Sequence, residues 1–200
     1  MAALLANFRN TVIVSVILAL VIVGAYATGP QGTGEVFFQA VFRWLHVFFG
    51  ILWIGLLYYF NFVQIRKMPE IPAELKPAVS KYIAPEALFW FRWAALITVL
   101  MGLAVAGSRH YLLQTLSLGT VGGYNQGFML MGLGMWLGII MMINVWAFIW
   151  PNQKIALGIV EADADAKAKA GRLAMLFSRT NMLLSIPMLV SMTMYQTVFG

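Results

Sequence analysis

Two side chains that could bind a ligand or carry a proton lie near the start of a long apolar segment. Arg43 and His46 belong to RWLHVFFGILWIGLLYYFNF, which runs from Arg43 to Phe62. Residues three positions apart lie on one face of a helix. Neutral imidazole inside an apolar helix needs a hydrogen-bond partner, a haem iron or a proton to carry. His46 is therefore a candidate metal ligand, and Arg43 is a candidate partner for a haem propionate.

The second axial ligand of such a haem stays open. His110 is the other histidine of the chain and a candidate cofactor-binding residue. It lies near the outer boundary of its segment, and His46 is deeper by about 10 Å at 1.5 Å per helical residue. Methionine is the alternative ligand, as in cytochromes with one His and one Met. Four methionines fall near the required depth: Met101, Met135, Met188 and Met192.

The chain contains no cysteine, and this narrows the cofactor chemistry. Disulfides, thiolate metal sites and iron–sulfur clusters held by cysteine are excluded. Covalent attachment of c-type haem needs C-x-x-C-H and is excluded as well. A non-covalent b-type haem is the form that remains for His46.

A second group of polar residues lies towards the other end of the apolar segments. In one interpretation, which we favour, the asparagines form hydrogen bonds between helices, and Arg92 snorkels or pairs with Glu86. In the other, the group lines a pocket for a quinone or an anionic substrate, and nearby tryptophans stack on its ring. The members of the group are Asn61, Arg92, Asn144, Arg179 and Asn181.

The elements that must position these residues are those of a membrane protein. The 200 residues are 62% hydrophobic and only 10% charged, whereas soluble domains average about 25% charged residues. The net charge of +6 could indicate nucleic-acid binding, but the basic residues flank apolar segments, which is the pattern of membrane orientation. The composition therefore predicts one membrane domain, residues 1–200, in contact with lipid and not with nucleic acid.

A helix needs roughly 20 apolar residues to cross about 30 Å of hydrocarbon. Five segments meet this requirement and predict an all-α integral membrane protein, a five-helix transmembrane bundle. They are residues 11–27, 36–62, 87–107, 127–150 and 181–199.

The first of these spans has alternative interpretations. Arg9, an apolar run and Ala25-Tyr26-Ala27 also resemble a signal peptide with its cleavage site. We expect the segment to be retained, either within the bundle or peripheral to it. Cleavage would leave a four-helix bundle in the same orientation.

The orientation follows from the positions of lysine and arginine in the short loops. The loops after spans 2 and 4 are basic, whereas the opposite side has only Arg43 and Arg109, both at span ends. The N-terminus is therefore predicted to be cytoplasmic and the C-terminus periplasmic, in a bacterial inner membrane. The six lysines, all in the two basic loops, are Lys67, Lys76, Lys81, Lys154, Lys167 and Lys169.

Four blocks of sequence resemble the membrane domain of the bacterial cytochrome c urate oxidase family, also called membrane urate hydroxylase. FRWLHVFFGILWIGLLYYFNF resembles its first conserved helix, and LFWFRWAALITVLMGL resembles its aromatic and basic helix. NVWAFIWPNQKIALG and SRTNMLLSIPMLVSM follow in the same order, so the resemblance covers most of the chain after Glu35. The matching residues are Arg43, Trp44, His46, Gly50, Trp53, Gly55, Arg92, Trp150, Pro151, Asn152, Arg179, Asn181 and Pro187.

This resemblance implies urate oxidation, with electrons passed to a C-terminal cytochrome c domain. The chain ends at Gly200, directly after span 5, and has no cysteine, so it resembles a short form that lacks the cytochrome domain. Electrons would then have to reach a separate cytochrome c.

Two functions from different classes are therefore expected. The first is a membrane redox or electron-transfer component with b-type haem at His46. The alternative is an accessory or assembly subunit without a cofactor, packed in a larger respiratory or photosynthetic complex. Gly132, Gly134 and Gly138 would then form its helix-packing seam. A transporter or channel ranks below both, because the sequence shows no inverted repeat.

Overall fold

The computed structural model describes residues 2–30 and 32–199, and within these residues the chain is helical and contains no strand. A short helix, Ala2–Leu5, precedes five long helices and one further short helix. The prediction of five helices long and apolar enough to cross a membrane is confirmed. The helices are α1 Phe8–Ala27, α2 Glu35–Glu70, α3 Lys76–Ser108, α4 Leu112–Leu116, α5 Gln126–Ala156 and α6 Ala164–Val198.

Neighbouring helices of the bundle run antiparallel, which gives it two distinct ends. Gln39 near the start of α2 donates to the Ser108 carbonyl at the end of α3, over 2.9 Å. Gly127 at the start of α5 lies against Phe199, which follows α6. We call this end, which includes His110, the histidine end. The opposite end holds all six lysines of the chain, and we call it the lysine end.

Every long helix after α1 extends beyond its predicted span. The difference is largest for α6, which begins at Ala164 and not at residue 181. Asp163 caps it, since its Oδ1 accepts from the backbone N–H of Ala166 over 2.7 Å. Alanine and lysine have high helix propensity, so the polar segment after Asp163 continues directly into the apolar one.

Helices α3 and α5 each continue through a proline that follows a local change of register, whereas α6 continues through Pro187 as a regular α-helix. Pro85 in α3 follows the π-helical segment Val79–Ile83, and Pro151 in α5 follows the π-helical segment Asn144–Ile149. Proline lacks an N–H and its ring clashes with the carbonyl four residues earlier. A wider π turn in front of the proline relieves both problems without ending the helix.

The core of the bundle is formed by α2, α3, α5 and α6, and α1 lies outside it. Trp53, Leu57, Phe91, Met141 and Val145 are almost completely buried in this core. By contrast, none of the described side chains of α1 is buried. It contacts the bundle through the stacked rings of Tyr26 and Phe37, whose centroids lie 6.2 Å apart across the turn to α2. The structure thus places span 1 at the periphery.

The three glycines of α5 that we expected to form one seam have different neighbours. Gly132 lies directly against the Thr115 carbonyl of α4, with no room for a Cβ. Gly134 lies against α6, where a Cβ would be 3.1 Å from the Cβ of Ser191. A Cβ on Gly138 would meet nothing within 4 Å. Close packing inside the chain therefore uses Gly132 and Gly134.

We predict that Gly132→Ala and Gly138→Ala have opposite effects on stability. Gly132→Ala must push α4 away and should lower the free energy of unfolding by about 1–3 kcal/mol, the usual cost of overpacking. Gly138→Ala meets no obstacle and should raise it by up to about 1 kcal/mol through helix propensity. Thermal unfolding in detergent measures both. Equal destabilisation by the two variants would contradict this packing.

Candidate functional site

His46 forms a hydrogen bond that determines the chemistry of its ring. Its Nδ1 lies 2.8 Å from the backbone carbonyl oxygen of Thr98 on α3. A carbonyl oxygen only accepts, so Nδ1 must carry the proton and donate it. Nε2 then has the lone pair. His46 is half-buried, in the half of α2 nearer to the histidine end, and its neutral form has Nε2 as the nitrogen that can accept a hydrogen bond or a metal.

Gly102 makes this contact possible. The Thr98 carbonyl already accepts the backbone N–H of residue 102 in the regular helical pattern, so the imidazole must approach the same turn of α3 from outside. A Cβ on Gly102 would lie 2.9 Å from both Nδ1 and Cε1 of His46. Only glycine leaves space for the ring there. Thr98 itself is buried, and its hydroxyl donates back to the Ala94 carbonyl over 2.7 Å.

Arg43 is exposed, one turn nearer to the histidine end than His46. It lies in an electropositive region with Arg109, and both guanidinium groups are near Tyr111, which follows α3. Burial and the neighbouring Tyr195 raise the pKa of the Tyr111 hydroxyl, and the two arginines lower it without overcoming the burial. An anionic group that reached this surface would find two cations.

His110 is not beside His46. Its Nε2 lies 3.1 Å from Oε1 of Glu35, the first residue of α2. At 1.5 Å per residue, the two histidines are about 16 Å apart along α2. The structure therefore does not bring them to one level, and His110 is part of an exposed cluster with Glu35 and Gln39.

The hydrogen bond of His46 is of the kind that metal-ligating histidines make. A histidine that ligates a metal normally donates its other ring N–H to a carbonyl or carboxylate, which fixes the tautomer and the ring orientation. His46 has this arrangement. Among the four candidate methionines, Met135 and Met188 are buried in the core, and the structure does not single out any of the four as a second ligand.

Asn144 and Asn181 form a link between α5 and α6. Asn144 Nδ2 donates to Asn181 Oδ1 over 3.0 Å, and Asn181 Nδ2 donates to the Met141 carbonyl over 2.9 Å. Asn181 has no exposed surface. This is the geometry of hydrogen bonding between helices, the interpretation that we favoured for the asparagines.

The two arginines of the same group face other surroundings. Arg92 lies over the ring of Trp150, with its Cζ 3.9 Å from the ring centroid, in a cation–π contact. Glu86, the partner that we considered for it, instead accepts from Trp90 Nε1 over 2.8 Å. Arg179 is exposed. The structure does not bring these arginines together with the asparagines around one pocket.

A cavity of about 240 Å³ lies near the lysine end, between α2, α3, α5 and α6. A second cavity of about 430 Å³ adjoins it and shares Gln64, Ile65 and Met68 as lining residues. None of the five polar residues of the expected pocket lines either cavity. Asn61 comes nearest, since its Nδ2 donates to Oγ of the lining residue Ser178 over 3.0 Å.

Sequence reasoning missed Thr98, Gly102 and Gln64. Thr98 and Gly102 act through their contact with another helix. Nothing in their own segment distinguishes Gly102 from the other 17 glycines of the chain. Gln64 falls just beyond the predicted end of span 2 at residue 62. Its position next to the basic loop is a signal that could have been used.

Comparisons of the chain with protein-family models, with curated proteins and with solved structures each give no match.

We predict that Gly102→Ala removes the hydrogen bond of His46. The added methyl group occupies the space of the ring, so the imidazole must move off the Thr98 carbonyl. Nitrogen-15 spectra of histidine-labelled protein should show an Nδ1-protonated ring in the parent and its loss in the variant. Gly107→Ala on the same helix is the control, because a Cβ there meets nothing within 4 Å. An unchanged His46 signal in Gly102→Ala would contradict the contact.

Proposed function

We propose that this chain is a urate-oxidase-like protein of the bacterial inner membrane that acts as a redox or electron-transfer component with a b-type haem at His46. The observation that carries the proposal is the bond from His46 Nδ1 to the Thr98 carbonyl. This bond fixes the tautomer that a ligating histidine needs. The five apolar helices support the location in a membrane.

The residues of the chain would have the following roles. Nε2 of His46 would hold the haem iron, the Thr98 carbonyl would orient the ring, and Gly102 would provide the space for it. Arg43 pairs with a propionate near the histidine end. A bound haem supplies one-electron transfer, and the positive surface of Arg43 and Arg109 favours docking of the acidic face of an electron partner.

The electron donor and acceptor follow from the resemblance and from orientation. The resemblance favours urate as the substrate, and a quinol is the other donor class for a protein in a membrane. A separate cytochrome c in the periplasm would accept the electrons. For this the histidine end must face the periplasm and the lysine end the cytoplasm, which the lysine distribution supports.

One observation favours the alternative of an accessory subunit in a larger respiratory or photosynthetic complex. After a polar first turn, helix α1 is apolar from Val12 to Ala27 except for Ser15, and none of its described side chains is buried. A helix that is apolar all round normally lies in lipid or against other helices. Another membrane subunit could therefore pack against α1 without disturbing the four-helix core.

The haem proposal predicts a b-type band in the reduced-minus-oxidised visible spectrum of the purified protein. The band should be present in the parent and lost in His46→Ala, because the axial ligand is removed. His110→Ala is the matched control and should keep the band, since His110 lies against Glu35. A folded parent without a band, when haem is available during expression, would overturn the proposal and favour the accessory subunit.

The orientation predicts the accessibility of introduced cysteines, which can be read without background because the chain has none. Val121 is exposed between α4 and α5 at the histidine end, and Glu161 is exposed between α5 and α6 at the lysine end. Val121→Cys should react with a membrane-impermeant maleimide on intact spheroplasts. Glu161→Cys should react only after permeabilisation. The reverse result would invert the proposed orientation.

A further inference from the structure

The cavity of about 240 Å³ near the lysine end has an unusual wall. The described residues contain three π-helical segments, Tyr59–Gln64, Val79–Ile83 and Asn144–Ile149. Each contributes to this wall, through Phe60 and Gln64, through Ser80, and through Ile149 respectively. The prolines that follow Val79–Ile83 and Asn144–Ile149 explain the positions of these two segments. They do not explain why all three segments lie around the same cavity. Single π turns are frequent at binding sites, because they turn side chains and backbone groups out of the regular pattern.

Two buried oxygen acceptors have no partner among the described residues, one on a lining residue and one on Asn61, which does not line the cavity but bonds to the lining residue Ser178. One is Oε1 of Gln64, which lines the cavity. The other is Oδ1 of Asn61, a residue only 7% exposed. The orientation of the Asn61 amide is determined, because its Nδ2 donates to the Leu57 carbonyl over 2.9 Å and to Ser178 Oγ. An unpaired buried acceptor is costly and rare in folded proteins.

The rest of the wall defines the kind of molecule that fits. The described residues lining this cavity include no acidic, basic or histidine side chain. A charged ligand would therefore be buried without a counter-charge, which is strongly unfavourable. Phe60 and Phe91, packed edge to face with centroids 5.5 Å apart, provide an aromatic surface for a ring. Gln153 and Ser178 add two further polar groups.

We propose that this cavity binds the reduced ring of a quinol, a neutral aromatic molecule that donates hydrogen bonds through its hydroxyls. A hydroxyl of the quinol matches the unpaired oxygen of Gln64, whereas the oxidised quinone has carbonyl oxygens that only accept and leaves this oxygen unpaired. The adjoining cavity, lined by Ile65, Met68 and Met175, receives the substituents or tail of the ring. This inference goes beyond the proposed haem site, because Gln64 lies about 27 Å from His46 along α2 at 1.5 Å per residue. Binding of the quinol does not require haem, and its role as an electron donor rests on the proposed redox function.

The test measures how far decylubiquinol raises the unfolding midpoint, Tm, of the purified full chain under anaerobic conditions. Decylubiquinone is the matched probe, and its effect on Tm is measured in the same way. A ligand that binds only the folded state raises Tm with its concentration and gives an apparent Kd. The quinol should bind at least about tenfold more tightly than the quinone, because a site that offers hydrogen-bond acceptors discriminates against an analogue without donors.

Two variants test the named residues. Gln64→Leu removes one unpaired acceptor, so it should raise the Tm of the unliganded protein and weaken quinol binding at least about tenfold. Gly171→Val should fill the cavity and abolish binding, since a Cβ there makes only an ordinary 3.7 Å contact with Ala156. Gln126→Leu, exposed at the histidine end, is the control and should bind as the parent does.

Each contrary result is informative. No quinol shift in the folded parent overturns the site and leaves a water-filled cavity. Equal shifts with quinol and quinone overturn the assignment of the acceptors, as does unchanged quinol binding in Gln64→Leu. His46→Ala should keep the quinol shift, because the cavity does not include His46. The two failures are distinguishable: a parent without a haem band that still binds the quinol contradicts the haem function alone, and a parent with a band but no quinol shift contradicts this site alone.

Discussion

A carbonyl oxygen inside a helix accepts one backbone hydrogen bond and keeps a second lone pair. In this bundle, side chains from neighbouring helices use that lone pair. His46 of α2 and Trp146 of α5 both donate to carbonyls of α3, at Thr98 and Arg92, and Asn181 of α6 donates to the Met141 carbonyl of α5. Lipid offers no hydrogen-bond partner, so a polar side chain on an apolar helix is stabilised where such a carbonyl, or a polar side chain of another helix, is within reach. These bonds set which helices are neighbours, with α3 between α2 and α5.

The same constraint divides the polar residues into two kinds. Asn144, Asn181 and Trp146 have partners on another helix and are explained by packing alone. Asn61 and Gln64 retain buried oxygens without a partner, although they belong to the same apolar environment. Trp53 Nε1 is a third buried polar atom without a partner among the described residues. The oxygen of Gln64 differs from it because Gln64 lines a cavity, where a ligand that donates hydrogen bonds can satisfy that oxygen. His46 stands between the two kinds, since one ring nitrogen is satisfied and the other has a lone pair.

The sequence was sufficient to predict the features that depend on a single helix, namely its presence and its apolar length. The length and apolarity of each segment predicted five long helices, because a span must cover the full width of the hydrocarbon. The contacts between helices could not be predicted in the same way. The position of Gly102 opposite His46 depends on the relative register of α2 and α3. No sequence pattern within either helix indicates this register. The choice between the two interpretations of the polar group could not be made from the sequence for the same reason, because the side of a helix that faces the core is decided by all its neighbours.

The distribution of lysine has a practical consequence for surface methods. All six lysines lie at one end of the bundle, and Lys67, Lys81 and Lys169 among them are exposed. Coupling through lysine amines to a sensor chip or an electrode would therefore attach the molecules by that end alone. The immobilised layer would have a single polarity, with the Arg43 and Arg109 surface directed into the flow, and a soluble electron carrier would meet the same face of every molecule.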